Sequence, residues 1–136
     1  MIQVELSKII IDEKRQDQQI IVLKEKNGTR QFPIVIGIWE ASSIKMKIAD
    51  IVPPRPMTHD LLAATISGLH AKLERMSIDK MVNNTFYAKL ELKTKDGETC
   101  LIDARPSDAI AVAVRLDADI FVAEDILNKV AIFKSE

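Results

Sequence analysis

"TFYAKLELKTKDGETCLIDARPSDAIAVAVRL", Thr85 to Leu116, carries three structural elements in succession and decides what kind of fold to expect. Phe86, Ala88, Leu90 and Leu92 alternate with Tyr87, Lys89, Glu91 and Lys93, so one face of a strand is apolar and the other meets water. Half-wet strands of this kind belong to antiparallel sheets. Asp96-Gly97 predicts a tight turn, and "ETCLID" a returning strand. Then the period changes. Ser107 reads as the cap of "DAIAVAVRL", which is apolar nearly all round from Ala109 to Val114, as in a helix buried on most sides. Arg115, near its end, suits the negative pole of the helix dipole.

Working outward, "AKLERMSIDKMV" leads through Asn83-Asn84 into this stretch and predicts the partner strand. Near the start, "IQVELSKIII" (Ile2 to Ile11) alternates at Ile2, Val4 and Leu6. "QIIVLKEK" is a β-branched run ending at Asn27-Gly28, which predicts a type I′ hairpin turn into "RQFPIVIG". There Ile34, Val35 and Ile36 are expected to be buried on both faces, and Pro33 marks a strand start or edge. Ile38, Ala41, Ile44 (or Lys45) and Ile48 recur at helical spacing, with Glu40 in the first turn. "VPPRPM" must stop that helix. Thr58 is the expected N-cap of the next one, with His59 and Asp60 in its first turn and Leu62, Ile66 and Leu69 as its core stripe. "DIFVA" and "EDILNKV" close the chain as a short strand and a short helix. The order β-β-β-α-α-β-β-β-α-β-α lacks strict βαβα alternation. It predicts an α+β fold, one compact domain over residues 1–136, with a mostly antiparallel or mixed sheet and about four helices.

Composition agrees with a globular domain: of 136 residues, 47% are hydrophobic and 29% charged. With 19 basic and 20 acidic side chains the net charge is −1, which argues against coating nucleic acid by bulk electrostatics. The single cysteine, Cys100, cannot form an internal disulfide and suggests a reducing compartment; in its strand-like run it is expected to pack rather than react. Neither a signal peptide nor a bilayer-spanning stretch of ~20 apolar residues is read, so no membrane association is expected and the cytoplasm is the expected location. Phosphate-loop, CxxC, HExxH and Gly-x-Ser-x-Gly motifs are absent from the sequence.

Two phrases stand out. "PPRPMTHDLL" (Pro53 to Leu62) and "ARPSDAIAV" (Ala104 to Val112) both run Arg-Pro, hydroxyl, aspartate, apolar. Proline, a hydroxyl cap and a first-turn acid are ordinary helix-start chemistry, and each arginine could simply pair with a nearby carboxylate. On the sharper reading, helix N-termini with adjacent guanidinium groups seat phosphate, which points to Arg55, Arg105, Thr58 and Ser107 as substrate-binding groups. Asp60, Asp103 and Asp108, with Glu40 and His59 beside them, would then supply catalytic groups, and the three aspartates would hold Mg²⁺ or Mn²⁺ if they converge. Trp39 is either core, interface or a stacking platform. His70, at a helix end, reads as structural or exposed.

Taken with "FPIVIGIWEASSI" (Phe32 to Ile44), "DARPSDAIAVAVR" (Asp103 to Arg115) and "IFVAEDIL" (Ile120 to Leu127), the Pro53 to Leu62 phrase resembles the bifunctional nuclease domain family of bacteria, archaea and plants. The resemblance covers about residues 2–127. It implies a compact α+β fold, DNase and RNase activity as assigned to some members, nucleic acid as partner, and a homo-oligomer, with a dimer favoured. By resemblance, Glu40, Arg55, His59, Asp60, Asp103, Arg105, Ser107 and Asp108 occupy the motif positions. Plant relatives can carry a C-terminal UVR-type module, whereas "NKVAIFKSE" reads as a short tail. Three readings follow: a metal-assisted phosphodiesterase acting on DNA and RNA, a non-enzymatic homo-oligomeric regulator binding an anion or protein partner, or motif residues that only lock the fold.

Overall fold

The two periodicities translate directly into elements in the computed structural model, which describes residues 1–15 and 17–133. In chain order they are β1 (Ile2–Ile10), β2 (Gln19–Glu25), β3 (Arg30–Ile36), α1 (Ile38–Ile48), α2 (Thr58–Gly68), β4 (Lys72–Val82), β5 (Thr85–Lys93), β6 (Thr99–Ala104), α3 (Pro106–Arg115), β7 (Asp119–Val122), α4 (Glu124–Val130) and β8 (Ile132–Phe133). All the strands join one sheet in the order β6-β5-β4-β7-β1-β2-β3-β8. Among the described residues only β4 and β7 pair in parallel; the other neighbours are antiparallel. The fold is α+β. The short β8 adds an element beyond the expected order, and Lys134 to Glu136 of the tail lie outside the described residues. Among the described residues no helix is long and apolar enough to cross a membrane.

The sheet curls. Four strands separate β5 from β3 in sheet order, yet the rings of Phe32 and Phe86 lie 5.8 Å apart, centroid to centroid. Register shifts between Leu6 and Lys8 in β1, and at two places in β4, supply local twist of the kind that bulges introduce. Into this hollow goes α3, whose Ala109 to Ala113 are at most 1% exposed. It packs on β4 and β5 and is flanked by α1 and α2. The prediction of a helix apolar all round is thus met by burial all round.

Some local expectations give way. The type I′ turn is at Asn83-Asn84, where both residues have positive φ (51° and 62°) and link Val82 directly to Thr85. Neither Asn27 nor Gly28 has positive φ, so the β2–β3 hairpin uses a longer loop. Val35 is 62% exposed rather than buried, since the strand's alternation turns it away from Ile34 and Ile36. In α1, Ala41 and Ile44 are buried while Ile48 is exposed. In α2, Ile66 of the expected stripe packs against the core, but Leu62 and Leu69 are exposed, and the buried residues are His59 and Ala63, one turn apart. The polar first turn of α2 is turned inward because it finds hydrogen-bond partners on α1 and α3.

Candidate functional site

Three helices meet through their polar residues. On α1, Glu40 and Ser43 lie three positions apart and so share a face. Glu40 folds back over the helix start at Gly37, where an added Cβ would lie 2.8 Å from its Oε1, so glycine leaves the carboxylate room. Helix α2 begins at Thr58 with Met57 as its N-cap residue, not Thr58 as expected. The cause is Asp60, whose Oδ2 accepts the Met57 backbone N–H at 2.9 Å and fixes the start one residue earlier. In α3 the N-cap is Arg105, with Pro106 at the first helical position, so Ser107 is inside the helix rather than its cap.

His59 is the centre of the arrangement. It is 7% exposed, and both ring nitrogens are engaged. Nε2 lies 2.9 Å from Asp108 Oδ1, and Nδ1 lies 2.6 Å from Ser43 Oγ. Asp108 uses its other oxygen for Arg105, whose Nε donates to Oδ2 at 2.8 Å and whose Nη2 lies 2.8 Å from the same oxygen. Arg105 Nη1 reaches Glu40 Oε1 at 3.7 Å, and Asp108, then Glu40, raise the guanidinium's pKa. An ionised carboxylate only accepts, so Nε2 must carry hydrogen toward Asp108. With neutral His59, Nδ1 then turns its lone pair to the Ser43 hydroxyl. The sequence Ser43, His59, Asp108, Arg105, Glu40 is one connected chain of polar contacts.

These residues line a cleft of about 390 Å³ together with Trp39, Ser42, Met46, Met57, Thr58 and Arg115. Trp39 is at its rim, 78% exposed. A second hollow of about 430 Å³ lies between the two ends of the curled sheet, lined by Pro33 to Gly37 on one side and Asn84 to Phe86 on the other. Glu40 and Arg105 line both, so they form the wall between them. Ser107, 6% exposed, faces the second hollow and not the His59 cleft.

The remaining expected residues are placed elsewhere. Asp60 is engaged by Arg115, whose Nε donates to Oδ1 at 2.7 Å. Asp103 is opposite Lys89 in the β5–β6 register, and Lys89 donates to Asp79 at 2.6 Å. Its neighbour pair, Ala88 and Ala104, has Ala88 fully buried beneath the helices, so strand alternation puts Asp103 on the opposite, open face of the sheet. The three aspartates therefore do not converge on one Mg²⁺ or Mn²⁺ ion. Among the described residues no group of three His, Cys, Asp or Glu side chains could hold a metal. Arg55 is exposed, makes no ion pair among the described residues and lies outside this cleft. The sequence alone does not single out two participants, Ser43 and Arg115. Ser43 stands three residues after Glu40 on the same helix face, which is the signal the sequence offers; Arg115 reads there only as a dipole partner.

A sequence model of the bifunctional nuclease domain matches residues 21–135. The chain belongs to the bifunctional nuclease domain family. An uncharacterized protein of Mycobacterium tuberculosis is similar, 38% identical over 115 residues, which is 85% of this chain and 68% of the mycobacterial one. Bifunctional nuclease 1 of Oryza sativa subsp. japonica is 28% identical over 105 residues, 75% of this chain and 32% of the plant protein. Bifunctional nuclease 1 of Arabidopsis thaliana is 28% identical over 98 residues, 70% of this chain and 30% of its own. The chain thus spans about a third of these plant relatives' length. In this bifunctional nuclease domain, the matched span holds every member of the polar chain, from Glu40 to Asp108, and Arg115 as well.

Asp60 has a measurable signature of its own. The Arg115 hydrogen bond, then the Met57 N–H, hold its carboxyl below the usual carboxylate range. Folded Asp60 therefore binds its proton less tightly than the unfolded chain does. Its contribution to stability is complete above the unfolded value, about 3.9, and is lost as pH falls through the lower folded value. Urea midpoints measured between pH 7 and pH 3 should fall less steeply below about pH 4 in Asp60→Asn than in the parent chain.

Proposed function

We propose that this domain hydrolyses phosphodiester bonds in single-stranded DNA and RNA, with His59 moving the proton and Arg105 clamping phosphate. The observation that carries this reading is a buried histidine held between a carboxylate and a hydroxyl in a cleft rimmed by a guanidinium, within a chain of this family. A histidine so oriented is a general acid–base, contributing about 10²–10⁴-fold to a rate. Arg105 is 68% exposed in its side chain, so it can turn one edge to an incoming phosphate while Asp108 keeps the other. Trp39 would receive a base on its open face. With a net charge of −1, affinity must come from this local site rather than from a basic surface. A homodimer belongs to the same proposal, on the apolar side chains that Val52, Leu61 and Leu69 leave in solvent.

Because the carboxylates do not meet on one metal, cleavage of single-stranded oligonucleotides by the purified chain is expected to persist in a chelator. Base stacking on an aromatic is worth about 1–3 kcal/mol, so Trp39→Ala should raise KM roughly 10-fold with little change in kcat. Stabilisation by phosphate without any turnover would instead favour the anion-binding regulator.

A further inference from the structure

We infer that Ser43 is the nucleophile of this site and carries the substrate phosphate as a covalent diester between two half-reactions. The inference rests on the phosphodiesterase reading and deepens it. A base must have a lone pair facing the group it activates. His59 has two nitrogens, and neither is free: Nε2 is held by Asp108, and Nδ1 faces Ser43 Oγ at 2.6 Å. The His59 side chain is only 9% exposed, so water reaches Nδ1 only by displacing the serine. Ser43 already occupies the one position from which a proton can pass to the imidazole. It is half-buried and lines the His59 cleft along with Trp39 and Arg105. A nucleophile joined to a base, with that base oriented by a carboxylate, is the constellation by which serine hydroxyls are activated on unrelated folds. Here the roles of the two ring nitrogens are exchanged relative to the serine-protease case, which leaves the proton bookkeeping unchanged.

The steps balance. Ser43 Oγ bonds to phosphorus as its proton moves to His59 Nδ1, and the imidazolium is stabilised through Nε2–H by Asp108. The bond from phosphorus to one sugar oxygen, opposite Oγ, breaks, and that oxygen takes a proton from solvent while Nδ1 keeps the proton of Ser43. One fragment leaves with a free hydroxyl; the other remains esterified to Ser43 through its phosphate. Water then attacks phosphorus from the vacated side and gives its proton to solvent, and Oγ departs and recovers its proton from Nδ1. The sum is one water added across a P–O bond, with no change of oxidation state. Arg105, which lines the same cleft as Ser43, would hold the non-bridging oxygens through the sequence.

An alkyl fluorophosphonate tests this on the full chain without nucleic acid. Intact-mass measurement should show one phosphonyl adduct per chain, mapped to the peptide containing Ser43 and absent from Ser43→Ala. Labelling of His59→Gln should be slower by roughly 100-fold or more, the usual contribution of a general base. Circular dichroism establishes that each variant is folded, and Asp108→Asn replaces His59→Gln if that chain does not fold. An unlabelled Ser43 in the folded parent chain, or equal labelling with and without His59, overturns the inference. Cleavage of oligonucleotides without labelling leaves the proposed function standing and removes Ser43 from it. Labelling without cleavage does the reverse.

Discussion

Replacing Asp108 by asparagine should lower kcat on single-stranded oligonucleotides by about 10⁴-fold, the scale seen when the orienting carboxylate of a serine–histidine pair is made neutral. The reason lies in how Asp108 divides its oxygens. Oδ1 accepts from His59 and Oδ2 accepts from Arg105. Asparagine offers one acceptor and one donor. If its oxygen stays with Arg105, its amide N–H₂ faces Nε2, which must then give up its hydrogen. The imidazole proton moves to Nδ1, and the lone pair that faced Ser43 is lost. KM should change little, because Arg105 keeps a partner and the cleft keeps its shape. Stability should fall by only about 1–2 kcal/mol, as for charge-assisted bonds weakened to neutral ones. Asp103→Asn is the matched control: on the open face of the sheet beside Lys89, it should leave the rate unchanged. Equal rates for Asp108→Asn and the parent chain would reduce Asp108 to an anchor for Arg105.

The contrast between these two aspartates shows where the sequence was legible. Both belong to "DARPSDAIAV", and chain proximity suggested a shared role. Strand alternation separates them: Asp103 is still in β6, where its neighbour Ala104 registers with buried Ala88, while Asp108 is one turn into α3. Period-two and period-3.6 patterns identified nearly every element, because each such element buries one continuous apolar face. They failed in α2, where Leu62 and Leu69 face solvent while His59 is buried. Burial there follows hydrogen-bond partners 16 and 49 positions distant in the chain, which no local pattern records. Ser43 was hidden for the same reason. Its significance lies in a contact with α2, and on its own helix it is an ordinary small residue beside Ser42. The Asn83-Asn84 turn was in view as a breaker, yet Asn27-Gly28 looked the better type I′ sequence; tertiary context assigned the positive φ angles to the asparagine pair.

Arg115→Met is expected to destabilise the chain by about 3 kcal/mol, the lower end of the range for breaking a buried ion pair, because Asp60 at 29% side-chain exposure can be partly rehydrated. Against a typical total of 5–15 kcal/mol this is a large loss, about 10 °C in Tm for a domain of this size. The Arg115 side chain is only 8% exposed, and its three nitrogens serve three helices. Nε holds Asp60 of α2, Nη1 donates to Ala111 O of its own helix at 2.8 Å, and Nη2 donates to Ser43 O of α1 at 3.1 Å. Methionine keeps much of the apolar stem but leaves Asp60 with the Met57 N–H alone and the Ser43 carbonyl without this donor. The double variant Asp60→Leu/Arg115→Met should recover part of the loss, with a coupling of about 1–3 kcal/mol in thermal melts, since no carboxylate is then left unpaired. Arg55→Ala, at an exposed position with no ion pair among the described residues, should stay within about 0.5 kcal/mol of the parent. This pairing of results would assign the fold-locking role to the arginine at the end of α3 rather than to the one in the proline-rich loop. It would also connect stability to chemistry, because the guanidinium that joins the three helices holds the backbone of Ser43, whose hydroxyl faces His59.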